Sequence, residues 1–130
     1  MNRKHIFVLV TDDDEDDRYF LRKAFERAIK EISVLEARDG TEAINLLAER
    51  PVHLIVLDMN MPGLNGLETL AFIRLNTNLC HTPAVMISTS DQPVLVADAY
   101  KKGFNCYIKK PVLMGDYDQI AQALKTCFLL

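Results

Sequence analysis

The sequence predicts an α/β protein, a doubly wound five-stranded parallel sheet covered by five helices. Three observations carry this. Short apolar runs alternate with segments of helical periodicity along the whole chain. The central run, Leu54-Ile55-Val56-Leu57, is apolar without a break, as a strand buried on both faces of a parallel sheet must be. The length of 130 residues suits one domain around one core.

Ile6-Phe7-Val8-Leu9-Val10 reads as the first strand. Leu21, Ala24, Phe25 and Ala28 then recur at helical spacing. That first helix begins among Asp14 to Asp17, where free N–H groups and the helix dipole favour acids. Ile32 to Ala37 is the second strand, placed near an edge because Glu36 interrupts it. Asp39-Gly40 makes a turn and Thr41 is the expected N-cap of the second helix. Ala43, Ile44, Leu47 and Ala48 form that helix's apolar face, and Pro51 lies beyond its end. The third strand runs from Leu54 to about Met59, because Pro62 cannot donate to a ladder and Gly63 punctuates the loop. Leu67, Leu70, Ala71 and Arg74 mark a third helix that frays into Asn76-Thr77-Asn78. Ala84-Val85-Met86-Ile87 is the fourth strand, ending in Ser88-Thr89-Ser90. A fourth helix runs from about Pro93, a residue suited to a first turn, to Lys102, with Gly103 as its cap. Asn105 to Ile108 is the fifth strand, and Lys109-Lys110-Pro111 follows. Tyr117, Ile120, Ala121, Leu124 and Phe128 give the fifth helix the clearest periodicity.

With 49% hydrophobic and 25% charged residues the composition is that of an ordinary soluble domain. A net charge of −3 gives no reason to expect nucleic acid or an anionic membrane as partner. Cys80, Cys106 and Cys127 are odd in number and lack C-x-x-C spacing, which points to a reducing compartment. The stretch from Met1 to Val10 is too short for a leader and runs into acids, not a cleavage site. No apolar run is long enough to span a membrane, so a cytoplasmic location is expected. His5, His53 and His81 have no metal-ligand spacing.

All strands of a parallel sheet end on one rim, where open α/β sheets bind their ligands. The first strand ends at Asp12-Asp13, the third at Asp58, the fourth at Ser88-Thr89 and the fifth at Lys110. Three carboxylates brought together repel one another, and a raised pKa or a bound cation relieves this. An all-oxygen site suits Mg²⁺. Lys110 and Ser88 are then placed to take the remaining oxygens of a phosphoryl group. The arrangement fits in-line phosphoryl transfer to Asp58 as nucleophile.

Five separated pieces carry a resemblance: Asp12-Asp13, then Leu57-Asp58-Met59-Asn60-Met61-Pro62-Gly63 with Gly66, then Ser88, Tyr107 and Lys110-Pro111. In this order the chain resembles the response-regulator receiver domains of two-component signalling, of the stand-alone kind similar to the chemotaxis regulator. The resemblance covers essentially the whole chain. It implies a flavodoxin-like sheet of order 2-1-3-4-5 and a single receiver domain over residues 1–130 with no output domain. It implies that Asp58 accepts phosphate from a phosphohistidine on a histidine kinase or phosphotransfer protein. It implies Mg²⁺ held by Asp13, Asp58 and the backbone carbonyl of Asn60, with Asp12 holding a metal-bound water. Lys110 would pair with the phosphoryl group, and its bond to Pro111 is expected to be cis. Ser88, where Thr is commoner, would move to the phosphate, and Tyr107 would change rotamer in response. Output would pass by protein contact through the face of the fourth helix, fifth strand and fifth helix, from a monomer or homodimer. Asn60 and Ser90 are expected to tune loss of the phosphate. The segment Asn76 to Thr82 looks longer than the minimal family loop.

Rival readings are weaker. A calcium loop starting at Asp12 fails because position six is Asp17, not Gly, and position twelve is Lys23, not Glu. An aspartate-nucleophile phosphatase of the haloacid dehalogenase type needs an Asp two positions after the nucleophile, where this chain has Asn60. A receiver fold that only docks a partner would not need Asp12, Asp13, Asp58 and Lys110 together.

Overall fold

The computed structural model describes residues 4–130, so Met1 to Arg3 of the stretch weighed above as a leader lie outside the described residues. Strands and helices alternate as β1 (Ile6–Thr11), α1 (Glu15–Ala28), β2 (Ile32–Ala37), α2 (Gly40–Glu49) and β3 (Leu54–Asp58). Then come α3 (Gly66–Ile73), a 3-10 turn at Thr77–Leu79, β4 (Ala84–Ser88), α4 (Pro93–Lys101), β5 (Cys106–Lys109) and α5 (Asp116–Phe128). All strand pairs are parallel and the order is β2-β1-β3-β4-β5. Two features follow from that order. β2 lies at an edge, as Glu36 suggested, and β1 and β3 are neighbours although α2 and β2 separate them in sequence.

Alternation along the strands divides the core into two layers. Leu9, Ile55, Leu57 and Met86 pack with Ala43, Leu47, Leu70, Ile73 and Ala99 of α2, α3 and α4. Val8, Val10, Leu54, Val56, Val85 and Ile87 face Leu21, Ala24 and Phe25 of α1 and Tyr117, Ala121 and Leu124 of α5. Every residue of β3 is buried, which explains its unbroken apolar run. Arg27 of α1 pairs with Asp118 of α5 at 2.7 Å across the outside of the second layer.

Several local expectations are corrected. Asp39, not Thr41, caps α2, because its carboxylate reaches the Glu42 N–H at 2.8 Å. Ala48 and Ala71 are exposed, and Leu46 and Ile73 take their places against the core. Ala43, Ile44, Leu47, Leu67 and Leu70 keep the inward places read by spacing. Arg74 is the C-cap of α3 and not part of its apolar face. Its guanidinium donates to the carbonyls of Leu79 (2.7 Å) and Thr82 (2.6 Å), which ties down the Asn76–Thr82 loop. No peptide bond among the described residues is cis, so the Lys110–Pro111 bond is trans, the lower-energy isomer of an X–Pro bond. The Lys110 N–H is satisfied by the Ser88 carbonyl at 2.7 Å, and the chain then leads out to the exposed Val112–Met114 loop.

The turn after β3 is tight. The Gly66 N–H donates to the Met59 carbonyl at 3.0 Å, and Asn65 and Glu68 close a capping box at the start of α3. A Cβ on Gly66 would lie 2.6 Å from the Asp58 carbonyl oxygen and 3.0 Å from Met86 Cε. Gly66→Ala should therefore destabilise the chain by roughly 1–3 kcal/mol, measured as a lower urea midpoint. An unchanged midpoint would mean that the turn can relax around the extra methyl.

Candidate functional site

The sheet delivers its polar residues to one rim, as the alternation required. Asp12, 3% exposed, directly follows β1, and β3 ends in Asp58, 4% exposed. The Asp12 N–H is bonded to the Ala37 carbonyl at 3.1 Å and the Met59 N–H to the Ile87 carbonyl at 3.1 Å. The ladder thus extends to the residues beside each carboxylate and fixes where they emerge. Asp14 N–H donates to Asp12 Oδ1 at 2.9 Å, while Asp14 itself caps α1 through the N–H groups of Asp16 and Asp17. Arg18 secures the same turn by donating to the Asp12 carbonyl at 2.7 Å and to Glu36 Oε1 at 3.2 Å.

Asp12, Asp13 and Asp58 bring one carboxylate oxygen each within 4.8 Å of one another. Asp13 is exposed and the other two are buried. Facing them is Lys110, its Nζ 2.7 Å from Asp12 Oδ2, 3.0 Å from Asp17 Oδ2 and 3.5 Å from Asp58 Oδ1. Three carboxylates therefore surround one ammonium. Burial, joined by the negative charge of Asp12, pushes the Asp58 carboxyl up to about 7, although Lys110 pulls the other way. Burial also raises Asp12, against the hydrogen bond from Lys110. For Lys110 burial disfavours the charge, but its bonds to Asp12 and Asp17 outweigh that and hold the ammonium firmly protonated. The oxygen-only donor set, crowded and short of positive charge, fits a hard divalent cation.

Ser88 is fully buried and its Oγ accepts the Ser90 N–H at 3.2 Å. Tyr107 is half-buried and its hydroxyl donates to the Ser90 carbonyl at 2.6 Å. Both residues expected to switch thus meet at Ser90, and among the described residues neither side chain is hydrogen-bonded to Asp58. The backbone N–H of Tyr107 donates to the Tyr100 hydroxyl of α4 at 3.1 Å. Asn60 is exposed at the rim, and its backbone N–H lies against the Asp58 carboxylate. The structure adds two residues that spacing did not single out. Asp17 contacts Lys110, and Tyr117 of α5 donates its hydroxyl to Asp17 Oδ1 at 3.2 Å. Asp17 was hidden in an acidic run that reads as a helix start, and Tyr117 in an apolar stripe that reads as core.

Residues 8–125 match the family described as the response regulator receiver domain. A chemotaxis protein CheY homolog of Campylobacter jejuni is 35% identical over 105 residues, covering 80% of each chain. The fold resembles that of a phosphorylated cyanobacterial phytochrome response regulator, RcpA, with a TM-score of 0.87 and 28% identity over 97% of this chain and 95% of that one. It also resembles the Mn²⁺-bound form of response regulator Rcp1, with a TM-score of 0.80 and 26% identity over 95% and 94% of the two chains.

A carboxyl held at about 7 in the folded chain, against 3.8 as its ordinary value, keeps a proton that the unfolded chain loses. Between those values this group's contribution to stability falls as pH rises. Without divalent cations, the melting temperature of the parent minus that of Asp58→Asn should therefore become more negative from about pH 4.5 to pH 7.5. Saturating Mg²⁺ should raise the parent's melting temperature more at the upper end, since proton and cation compete for the same oxygens. A difference independent of pH would contradict the assignment.

Proposed function

We propose that this chain, which belongs to the response-regulator receiver domain family, accepts a phosphoryl group on Asp58. The observation that carries this is one buried carboxylate at the end of a central strand, with two acids and an ammonium grouped around it. The donor in this reading is a phosphohistidine of a histidine kinase or phosphotransfer protein. The N–P bond breaks, an O–P bond forms to Asp58, and the imidazole keeps the electron pair. The chain catalyses only this transfer and the later hydrolysis, so it works as a switch and not as a turnover enzyme.

Asp12, Asp13, Asp58 and the backbone carbonyl of Asn60 are the residues we assign to holding Mg²⁺. Bound there, the ion would offset the carboxylate charge and that of the incoming phosphoryl oxygens. Lys110 neutralises a second phosphoryl oxygen by a charge-assisted bond. Ser88 is assigned a third, which requires its Oγ to give up the Ser90 N–H. Tyr107 shares Ser90, so a shift of Ser88 disturbs the tyrosine's anchor. Asn60 and Ser90 flank the site and are assigned to setting how fast water removes the phosphate. We place the signal's exit on the face of α4, β5 and α5, toward a protein target. Among the described residues no helix is long and apolar enough to cross a membrane. All three cysteines are free, which suits the cytoplasmic setting we propose.

Incubation with acetyl phosphate and Mg²⁺ should add one phosphoryl group by mass, base-labile and absent from Asp58→Asn. Labelling that persists in Asp58→Asn would sink the assignment. Tyr107→Ala should leave the extent of phosphorylation intact and weaken phosphorylation-dependent capture of a partner by about tenfold. Unaltered capture would remove Tyr107 from the output path.

A further inference from the structure

The ammonium of Lys110 stands nearer to Asp12 and Asp17 than to Asp58, at 2.7 and 3.0 Å against 3.5 Å. Its backbone N–H is fixed to the Ser88 carbonyl at 2.7 Å, so only the side chain can travel. An ammonium has three donors and no acceptor, and two of them are engaged by carboxylates other than the proposed acceptor. Asp12 belongs to the proposed metal-binding set and is needed there. Asp17 lies in the first turn of α1, outside that set, and its second oxygen is held by the Tyr117 hydroxyl at 3.2 Å. Asp17 therefore has a fixed orientation set from α5, with one oxygen on Tyr117 and the other on Lys110.

We propose that Asp17 is a positioning residue that parks the Lys110 ammonium away from Asp58 until a phosphoryl group arrives, and that Tyr117 sets how strongly it does so. This rests on Asp58 being the phosphoacceptor. When phosphoryl oxygens enter the site they compete with Asp17 for the same ammonium. The lysine moves to the stronger charge, and Asp17 is left bonded to Tyr117 alone. The transfer then changes a contact between α1 and α5 without passing through Ser88 or Tyr107. Two opposite consequences follow. Removing the charge of Asp17 frees Lys110 for Asp58 and the donor. Removing the Tyr117 hydroxyl leaves Asp17 with one fewer donor, so it grips Lys110 harder.

The test is the initial rate of Asp58 phosphorylation by acetyl phosphate at saturating Mg²⁺ in the full chain. Asp17→Asn should raise it about fivefold, the effect of one charge-assisted contact. Tyr117→Phe should lower it by a smaller factor. In a Lys110→Ala background both changes should have no effect, because both act through the lysine. Mg²⁺ affinity, read from the cation's effect on melting temperature, should stay within about twofold in either variant. Equal rates in Asp17→Asn and the parent would overturn the proposal, as would changes of the same sign in both variants or changes that survive in Lys110→Ala. If Asp17→Asn fails to fold, Tyr117→Phe with and without Lys110→Ala decides alone. A parent chain that takes up no phosphoryl group would instead overturn the function proposed above.

Discussion

Negative charge gathered against its own repulsion is the constraint on which this molecule depends. Asp12 and Asp58 are buried side by side because β1 and β3 are hydrogen-bonded neighbours with Thr11 opposite Leu57. The ladder sets their separation, so the carboxylates cannot move apart to relieve the strain. The fold answers with one ammonium, Lys110, and with an Asp58 carboxyl whose pKa is pushed up by burial. Both answers are partial, and both leave the site receptive to a cation. Chemistry at the rim and stability of the sheet are thus opposed, and the two packed layers beneath supply the surplus that the rim draws down.

That opposition explains why so much of the rest is rigid. β3 is buried along its length, Gly66 lies against the Asp58 carbonyl, and Arg18 ties the Asp12 turn to β2. Each device holds a backbone atom next to a site carboxylate. The parts left adjustable are side chains: the Lys110 ammonium, the Ser88 hydroxyl and the two tyrosines. The switching proposed above would need rotamer changes around a fixed frame and not a change of fold. Ser90 illustrates the economy, since its N–H serves Ser88 and its carbonyl serves Tyr107.

Much of this was legible in the residues. Strands announce themselves here because burial on both faces removes every polar interruption, as in Leu54 to Leu57. The rim acids could be placed because Asp58 directly follows such a run and Asp12 and Asp13 come just after another. Helical faces were less legible. Ala48 and Ala71 satisfy the spacing as well as Leu46 and Ile73 do, and small residues carry little weight in deciding which face is inward. Asp17 and Tyr117 escaped because their roles depend on the packing of α1 against α5, a contact between segments about a hundred residues apart in sequence. A cap such as Asp39 against Thr41 turns on one backbone torsion, which composition does not encode.

The hydrogen bond from the Tyr107 amide to the Tyr100 hydroxyl has a consequence for solubility. β5 is the last strand of the sheet and pairs on one side alone. Outermost strands offer free amides that recruit foreign chains. Here one such donor is already satisfied from within by an aromatic side chain of α4. An intruding polypeptide that tries to extend the sheet meets an occupied amide and a ring in its path. The same tyrosine that ties the helix to the strand thereby blunts the adhesive border of the molecule.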